Sequence, residues 1–451
     1  LNLETKIEQK NAHVAVIGLG YVGLPLAIQF AREGFPVVGI DIDARKIAKL
    51  AEGASYIPDV PSADVLRAIQ KKHFAATIEF DVLCDADVIF ICVPTPFDEM
   101  KAPDLKPVIA ATESIAPRLQ KGQLVILQST TYPGTTEEVC LPILETSGLK
   151  AGKDFHLAFS PERIDPGATS SAGWNVKNTP KVLGGLTPRC TALAQKLLVH
   201  LTPAVHIVSS PRAAEMSKLL ENIFRSVNIA LVNELAHLAE RMNIDLWEVI
   251  DAAKTKPFGF MPFYPGAGVG GHCIPVDPYY LSWKAREYDF FTRFIELAAD
   301  INQGMPYHVV KLISDALSAR GKALKRARVL VLGVAFKPNV DDARNSPAER
   351  VIELLLEHGA RVRYHDPFVP AFRVGNDVFH RARVTLKSAP LTREEIRRND
   401  VVVIVTAHRE RVNYRAVVAH AGLIVDTANA TKGLGHAEKI VRLGAPQKRS
   451  A

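Results

Sequence analysis

Cysteine is scarce in this chain. There are five in 451 residues, namely Cys84, Cys92, Cys140, Cys190 and Cys273, with no CxxC pair and no metal-like spacing. An odd, sparse set in a chain of this size argues for reduced thiols, and against both a disulfide framework and a bound metal. No apolar run approaches the ~20 residues that span a bilayer. The opening LNLETKIEQKNAH is polar and carries no signal-peptide core, so a cytoplasmic protein without a membrane partner is expected. The net charge is +7, yet the marks of a nucleic-acid binder are missing: no aromatic interleaving among the basic residues, no helix-turn-helix, no zinc pattern. From Ala319 onward about 25 lysines and arginines stand against about 13 acids. They are dispersed among apolar segments, which suits a basic surface for anionic small molecules better than one for DNA.

What is present is core-forming material. With 47% hydrophobic and 23% charged residues, the chain can bury a large interior and should divide into about three domains at ~150 residues each. HVAVIGLGYVGLPLAIQFAREGFPVVGIDID reads as strand, glycine turn, amphipathic helix and second strand ending at Asp41. Further strands follow at Asp87–Pro94, Leu124–Thr130 and His156–Glu162, separated by helical stretches, which makes residues 1–209 a Rossmann-like, doubly wound α/β domain. Cys92 lies inside one of these strands and Cys84 beside it, as core or near-core residues. Residues 210–319 read as a central helical region, with Leu219, Leu220, Ile223, Val227, Leu231, Leu235 and Leu238 at helical spacing. A long helix there suits either a homodimer face or internal packing. After ARGKALKRA the plan restarts: RVLVLGVAF, a helix, RVRYHDP and later DVVVIVTAH echo the N-terminal elements. Residues 320–451 are therefore a second Rossmann-like α/β domain. It has lost the full glycine fingerprint and is expected to bind a different ligand.

The first copy carries a dinucleotide site. Gly18, Gly20 and Gly23, with Tyr21 and Val22 between them, form GxGxxG after a strand and at the opening of a helix. There the glycines allow the tight turn and let a pyrophosphate reach the helix N-terminus. Asp41 ends the next strand about 20 residues on, where a carboxylate bonds the ribose 2′-hydroxyl and repels a 2′-phosphate, so NAD is favoured over NADP. Arg45 is expected at an adenosine phosphate or ribose, and keeps the NADP alternative open. Thr95 and the Ser129-Thr130 pair end the fourth and fifth strands, placing their hydroxyls on the nicotinamide side or, equally, at ordinary turns.

The most reactive-looking stretch is GAGVGGHCIPVDPYYLSWK, Gly266–Lys284. Its glycines let a ligand approach closely, and Asp277-Pro278 is a helix N-cap followed by a first-turn proline. Cys273 in this setting is either a working thiol or a buried structural one. His272 beside it is more often structural or solvent-facing than a base.

Taken in order, GLGYVGLP, CVPTP, STTYPGTTEE, FSPERIDPG, EMSKLLENIFRSVNIALVNE, GAGVGGHCIPVDPYYL and GVAFKPNVDDARNSP resemble the nucleotide-sugar 6-dehydrogenase family along nearly the whole chain. KPFGFMPFYPGAGVGGHCIPVDPYYLSWKARE is most similar to its members acting on UDP-N-acetylglucosamine in surface-polysaccharide pathways. Members acting on UDP-glucose carry lysine where this chain has Val276. The resemblance implies oxidation of the sugar C6 alcohol to a carboxylate by two hydride transfers to NAD through a cysteine thioester. It implies that Cys273 is the nucleophile, and that Lys218 and Asn222, four apart on one helix face, hold the oxyanion. Glu162 would activate water with a raised pKa, Thr130 would position that water, and Asp277 would organise Lys218. Substrate contacts would come from Glu162, Arg163, Lys218, Asn222, Gly270 and Lys337, and Arg344 would reach the cofactor unless Asp341 and Asp342 claim it. UDP-N-acetylmannosamine or UDP-glucose remain alternative sugars. Two further readings are an NAD-binding scaffold or sensor without turnover, and a two-electron dehydrogenase in which Cys273 is inert.

Overall fold

The computed structural model describes residues 1–98, 102–164, 175–271, 274–375 and 383–446. Cys273 and His272 therefore lie outside the described residues. The chain packs as two compact units, Leu1–Glu221 with Tyr279–Phe290, and Asn222–Pro278 with Phe291–Ala451.

The first unit is built on an eight-stranded sheet. Its strands are β1 (Val14–Ile17), β2 (Val37–Ile40), β3 (Phe74–Thr77), β4 (Val88–Ile91), β5 (Leu124–Leu127), β6 (His156–Phe159), β7 (Lys181–Gly185) and β8 (Val205–Ile207). They are ordered β3-β2-β1-β4-β5-β6-β7-β8 and are parallel except where β7 runs against β6. Along β1, Val14 and Val16 join one apolar cluster while Ala15 and Ile17 join another. The sheet is thus buried on both faces, which is why its strands read as continuous hydrophobic runs. The chain direction of the order reverses between β1 and β4, opening a crevice at their carboxyl ends. The helix Gly23–Glu33 leaves the glycine turn, buries Leu24, Ala27, Ile28 and Ala31 at helical spacing, and stops at Gly34 in the left-handed region.

The second unit repeats the plan with fewer strands. The parallel sheet β10-β9-β13-β14-β15 is formed by β9 (Arg328–Leu332), β10 (Arg361–His365), β13 (Val401–Ile404), β14 (Ile424–Asp426) and β15 (Ile440–Arg442). An antiparallel pair, β11 (Ala371–Val374) with β12 (Val384–Lys387), was not foreseen. Val329 and Val331 of β9 face one cluster, Leu330 and Leu332 the other. The expected helical stretch from Ser210 to Asp251 is two helices, Pro211–Met242 and Leu246–Ala253. They break at Asn243, whose φ is +60°.

Of the leucines that marked the long helix, Leu219 is buried and the others are not. Leu220 is 58% exposed and Leu231 51%, with Phe224, Leu235, Leu238 and Met242 on the same open stripe. Its inward face carries Ala230, Asn233, Ala236 and Ala239. Ala236 and Ala239 pack there in one apolar cluster with Val232, Leu246 and Ile250, while the helix Arg293–Ser318 is met through polar side chains: Asn233 Nδ2 donates to Asn302 Oδ1 at 2.9 Å, and the rings of His237 and His308 stack at 3.9 Å.

Candidate active site

At the β1–β4 crevice, each glycine of the turn has its own reason. Gly18 sits at φ +91°, and a Cβ there would lie 2.6 Å from the Cys92 carbonyl oxygen; a Cβ on Gly23 would lie 1.8 Å from that of Gly18. Gly20 has nothing within 4 Å of the equivalent position, which leaves the turn open to a ligand. Asp41, after β2, accepts from the Leu19 amide at 2.9 Å and from Lys46 Nζ at 2.8 Å. Arg45 turns instead to Asp43, Nη2 to Oδ2 2.8 Å, and stands 89% exposed at its side chain. That exposed pair holds the Asp43 carboxyl down to about 2 through the guanidinium hydrogen bond. Lys46, one residue further on, is the basic group that reaches the crevice acid.

Beyond β4 and β5 the hydroxyl-bearing residues are anchored. Ser129 Oγ donates to the Val93 carbonyl at 2.7 Å, the Thr95 carbonyl accepts from the Tyr280 hydroxyl, and Thr130 is half-buried. Glu162, after β6, accepts at Oε2 from Lys181 Nζ and Gln128 Nε2, each at 3.1 Å. Its Oε1 accepts from the amides of Arg163 and Ile164 at 2.8 and 3.0 Å. Burial pushes this carboxyl up, but the Lys181 ammonium and the two backbone donors outweigh it and hold it below the usual value. The expected raised pKa is thus corrected; the adjacent Arg163 guanidinium goes to Glu221 at 2.7 Å. Sequence reasoning missed Lys181; the available signal was a lysine opening a strand that is otherwise wholly apolar.

The long helix carries Lys218 and, one turn later, Asn222, both buried. Asn222 Nδ2 donates to Asp277 Oδ2 at 2.6 Å, at the first residue of the helix Asp277–Ala285. Because the carboxylate is acceptor-only, the amide orientation is set by this contact. The glycine stretch before Cys273 is held at both ends. The Gly266 amide donates to Asn233 Oδ1 at 3.0 Å; the Gly271 amide donates to the Arg344 carbonyl at 3.2 Å, and Asn345 Nδ2 to the Gly271 carbonyl at 3.1 Å. A Cβ on Gly270 would lie 2.9 Å from the Asn345 oxygen, Phe336 and Pro347, so packing alone requires glycine there. Arg344 is forked onto Asp342, Nη2 to Oδ2 2.7 Å, as the neighbouring acids allowed. Lys337 Nζ stands 5.3 Å over the Phe336 ring.

Three segments match one family in order: residues 12–202 its NAD binding domain, 212–304 its central domain and 330–433 its UDP binding domain. The chain belongs to the UDP-glucose/GDP-mannose dehydrogenase family. It is an NAD-dependent UDP-sugar dehydrogenase, not the turnover-free scaffold that the sequence also allowed. The chain is 40% identical over 409 residues to a UDP-N-acetyl-D-glucosamine 6-dehydrogenase of Pseudomonas aeruginosa, covering 90% of this chain and 93% of the relative. It is 35% identical to a UDP-N-acetyl-D-mannosamine dehydrogenase of Yersinia pestis, covering 88% and 94%. A solved UDP-D-ManNAc dehydrogenase of Pyrococcus horikoshii superposes with a TM-score of 0.85 at 33% identity, covering 96% and 99%. The first α/β region of this dehydrogenase fits the dinucleotide: open space over Gly20, a helix N-terminus behind it, and a carboxylate at the end of β2. Among the described residues no helix is long and apolar enough to cross a membrane, and no cluster of side chains suits a metal ion.

Proposed function

We propose that this enzyme oxidises C6 of UDP-N-acetyl-D-glucosamine to the carboxylate, yielding UDP-N-acetyl-D-glucosaminuronate through a thioester on Cys273. The observation that carries the sugar is the 40% identity over 90% of the chain with the Pseudomonas aeruginosa enzyme of that name. Val276, where members acting on UDP-glucose carry lysine, supports the same choice.

NAD, when bound, takes up a hydride in each of the two oxidations. The chain supplies the rest. The turn from Gly18 through Tyr21 and Val22 to Gly23 receives the pyrophosphate, Asp41 with Lys46 the adenosine ribose, and Thr95, Ser129 and Thr130 line the nicotinamide side. The Cys273 thiolate adds to the aldehyde carbon left by the first oxidation; loss of the second hydride leaves a C–S thioester, and water then cleaves it to acid and thiol. Lys218 and Asn222 face the oxygen that carries negative charge in both additions. Asp277 occupies one Asn222 amide proton, leaving the second for that oxygen. Glu162, kept ionised by Lys181, orients the water together with Thr130. Arg163, Gly270 and Lys337 belong to the UDP-sugar side, and Arg344, held by Asp342, would reach the cofactor only by exchanging that partner.

The open stripe Leu220, Phe224, Leu231, Leu238 and Met242 suits a second copy of the chain, since an apolar row along one helix is self-complementary about a twofold axis. A homodimer in the cytoplasm, serving polysaccharide synthesis, completes this reading. The mannosamine epimer is the second reading, favoured by the TM-score of 0.85 to the Pyrococcus horikoshii structure.

The test is the NADH released per sugar consumed, with UDP-N-acetylglucosamine, UDP-N-acetylmannosamine and UDP-glucose supplied separately. Two NADH per N-acetylglucosamine nucleotide is expected, and a single NADH would remove the thioester. Faster turnover of the mannosamine nucleotide would replace the first sugar with the second. Cys273→Ala is expected to bind both ligands and form no acid.

A further inference from the structure

The second α/β region contains a buried acid–histidine pair with no counterpart among the described residues of the first. Asp366 follows β10, and His408 stands four residues after β13; both side chains are wholly enclosed. Asp366 Oδ2 accepts from the amides of Val334 and Ala335 at 2.7 and 3.0 Å and from His408 Nε2 at 3.0 Å. Its Oδ1 accepts from the amides of Phe368 and Val369 at 2.8 and 3.1 Å. The other imidazole nitrogen, Nδ1, faces the Asn339 amide at 3.0 Å. An amide can only donate, so Nδ1 accepts, and the ring is neutral with its proton on Nε2.

These contacts converge on one loop. Residues 334–339 are gripped near the start by Asp366 and at the end by His408, and Thr406 Oγ1 adds a 2.7 Å bond to the Ala335 carbonyl. Between the grips stand Phe336 and Lys337. Gly270 and Gly271 pack against the Phe336 side chain, whose Cβ would lie 2.9 Å from a Cβ on Gly270 and whose ring 3.1 Å from one on Gly271. The loop thus joins the UDP binding domain to the glycine stretch that leads to Cys273, within one compact unit.

We propose that His408 and Asp366 are positioning residues, which set Lys337 and Phe336 for the UDP-sugar by clamping the loop 334–339 from both ends. The clamp rests on the reading that this domain and Lys337 hold the UDP-sugar. It works because both partners are dry and fully bonded: a loop fixed by hydrogen bonds inside low dielectric has one arrangement, whereas removing the imidazole leaves the Asn339 amide without its acceptor and that end of the loop free.

The experiment compares steady-state kinetics of His408→Leu, His408→Gln, Phe368→Leu and Lys337→Ala in the full-length enzyme, with UDP-N-acetylglucosamine and NAD varied separately. His408→Leu is expected to raise the KM for the UDP-sugar about tenfold or more while the KM for NAD stays within about twofold. His408→Gln keeps a donor for Asp366 and should recover part of the loss. Phe368→Leu alters the ring beside His408, 5.2 Å between centroids, without touching the clamp's hydrogen bonds, and should leave both KM values near wild type. If Lys337→Ala raises the UDP-sugar KM but both His408 variants match wild type, the clamp is wrong and the domain reading stands. If Lys337→Ala has no effect on the UDP-sugar, the reading beneath the clamp is wrong as well. Should His408→Leu fail to fold, His408→Gln decides: a rise confined to the UDP-sugar supports the clamp, and equal rises for both ligands overturn it.

Discussion

The two α/β regions place an aspartate at the same point, just after the second strand of each sheet, and use it differently. In the first, Asp41 accepts from a single amide of the turn, Leu19, from the Asp43 amide and from Lys46, and stays at the crevice. In the second, Asp366 accepts from two turn amides, two further amides and His408, and is sealed. The Phe336 amide is taken too, by the Asp342 carbonyl at 2.9 Å. Where the first turn keeps its glycines and offers backbone donors to a pyrophosphate, the second has committed those donors to the Asp366 side chain and the Asp342 carbonyl. Both regions share the acid-to-turn bond as architecture; the glycines decide which of them can take a dinucleotide.

The sharpest way to break this comparison is Asp366→Ala. Removing an enclosed charge strands five donors and should lower stability by about 3–5 kcal/mol, read from the midpoint of urea unfolding. A change below about 1 kcal/mol would make Asp366 no more structural than Asp41.

The next effect concerns a third loop-gripping acid, Glu215, which is fully buried and accepts from the Gly134 amide and from the amide and hydroxyl of Thr136. Burial outweighs those bonds and pushes its carboxyl up to about 7 from 4.5. Asp366 is instead held below its ordinary value: burial raises it, and the His408 N–H and backbone donors outweigh that. The folded chain therefore keeps a Glu215 proton that the unfolded chain releases. This contribution is full below pH 4.5 and is lost as pH rises through about 7, worth up to ~3 kcal/mol. Thermal melts from pH 5 to 8 should show that decline in the wild type and a flatter profile in Glu215→Gln; parallel profiles would count against it.

Asp41→Ala should be smaller in free energy, raising the NAD KM by about 10- to 100-fold, as expected for charge-assisted hydrogen bonds. The UDP-sugar KM should stay within about twofold. Arg45→Ala, by contrast, removes an exposed partner of Asp43 and should change the NAD KM by less than about twofold. An Arg45 effect as large as that of Asp41 would return it to the cofactor site.

Much of this protein is written in local pattern. The run of buried strands, the glycine turn with its trailing acid and the restart after Ala327 are periodicities of two, of 3.6 and of one repeated plan, and they fix both α/β regions because a sheet buried on two faces has little other way to be encoded. The family's ordered motifs likewise name the chemistry. What the sequence could not decide is which partner each polar side chain takes, since that depends on residues brought together from distant positions. Lys181 is nineteen residues from Glu162 and inverts its expected pKa shift; His408 is 42 from Asp366; and Arg45 and Lys46, adjacent in the chain, part company because successive helical residues point about 100° apart. The leucines of Pro211–Met242 kept helical spacing, yet only packing decided that Ala236 and Ala239 face inward, because they close against Leu246 and Ile250 of another helix, which the pattern of this helix does not encode.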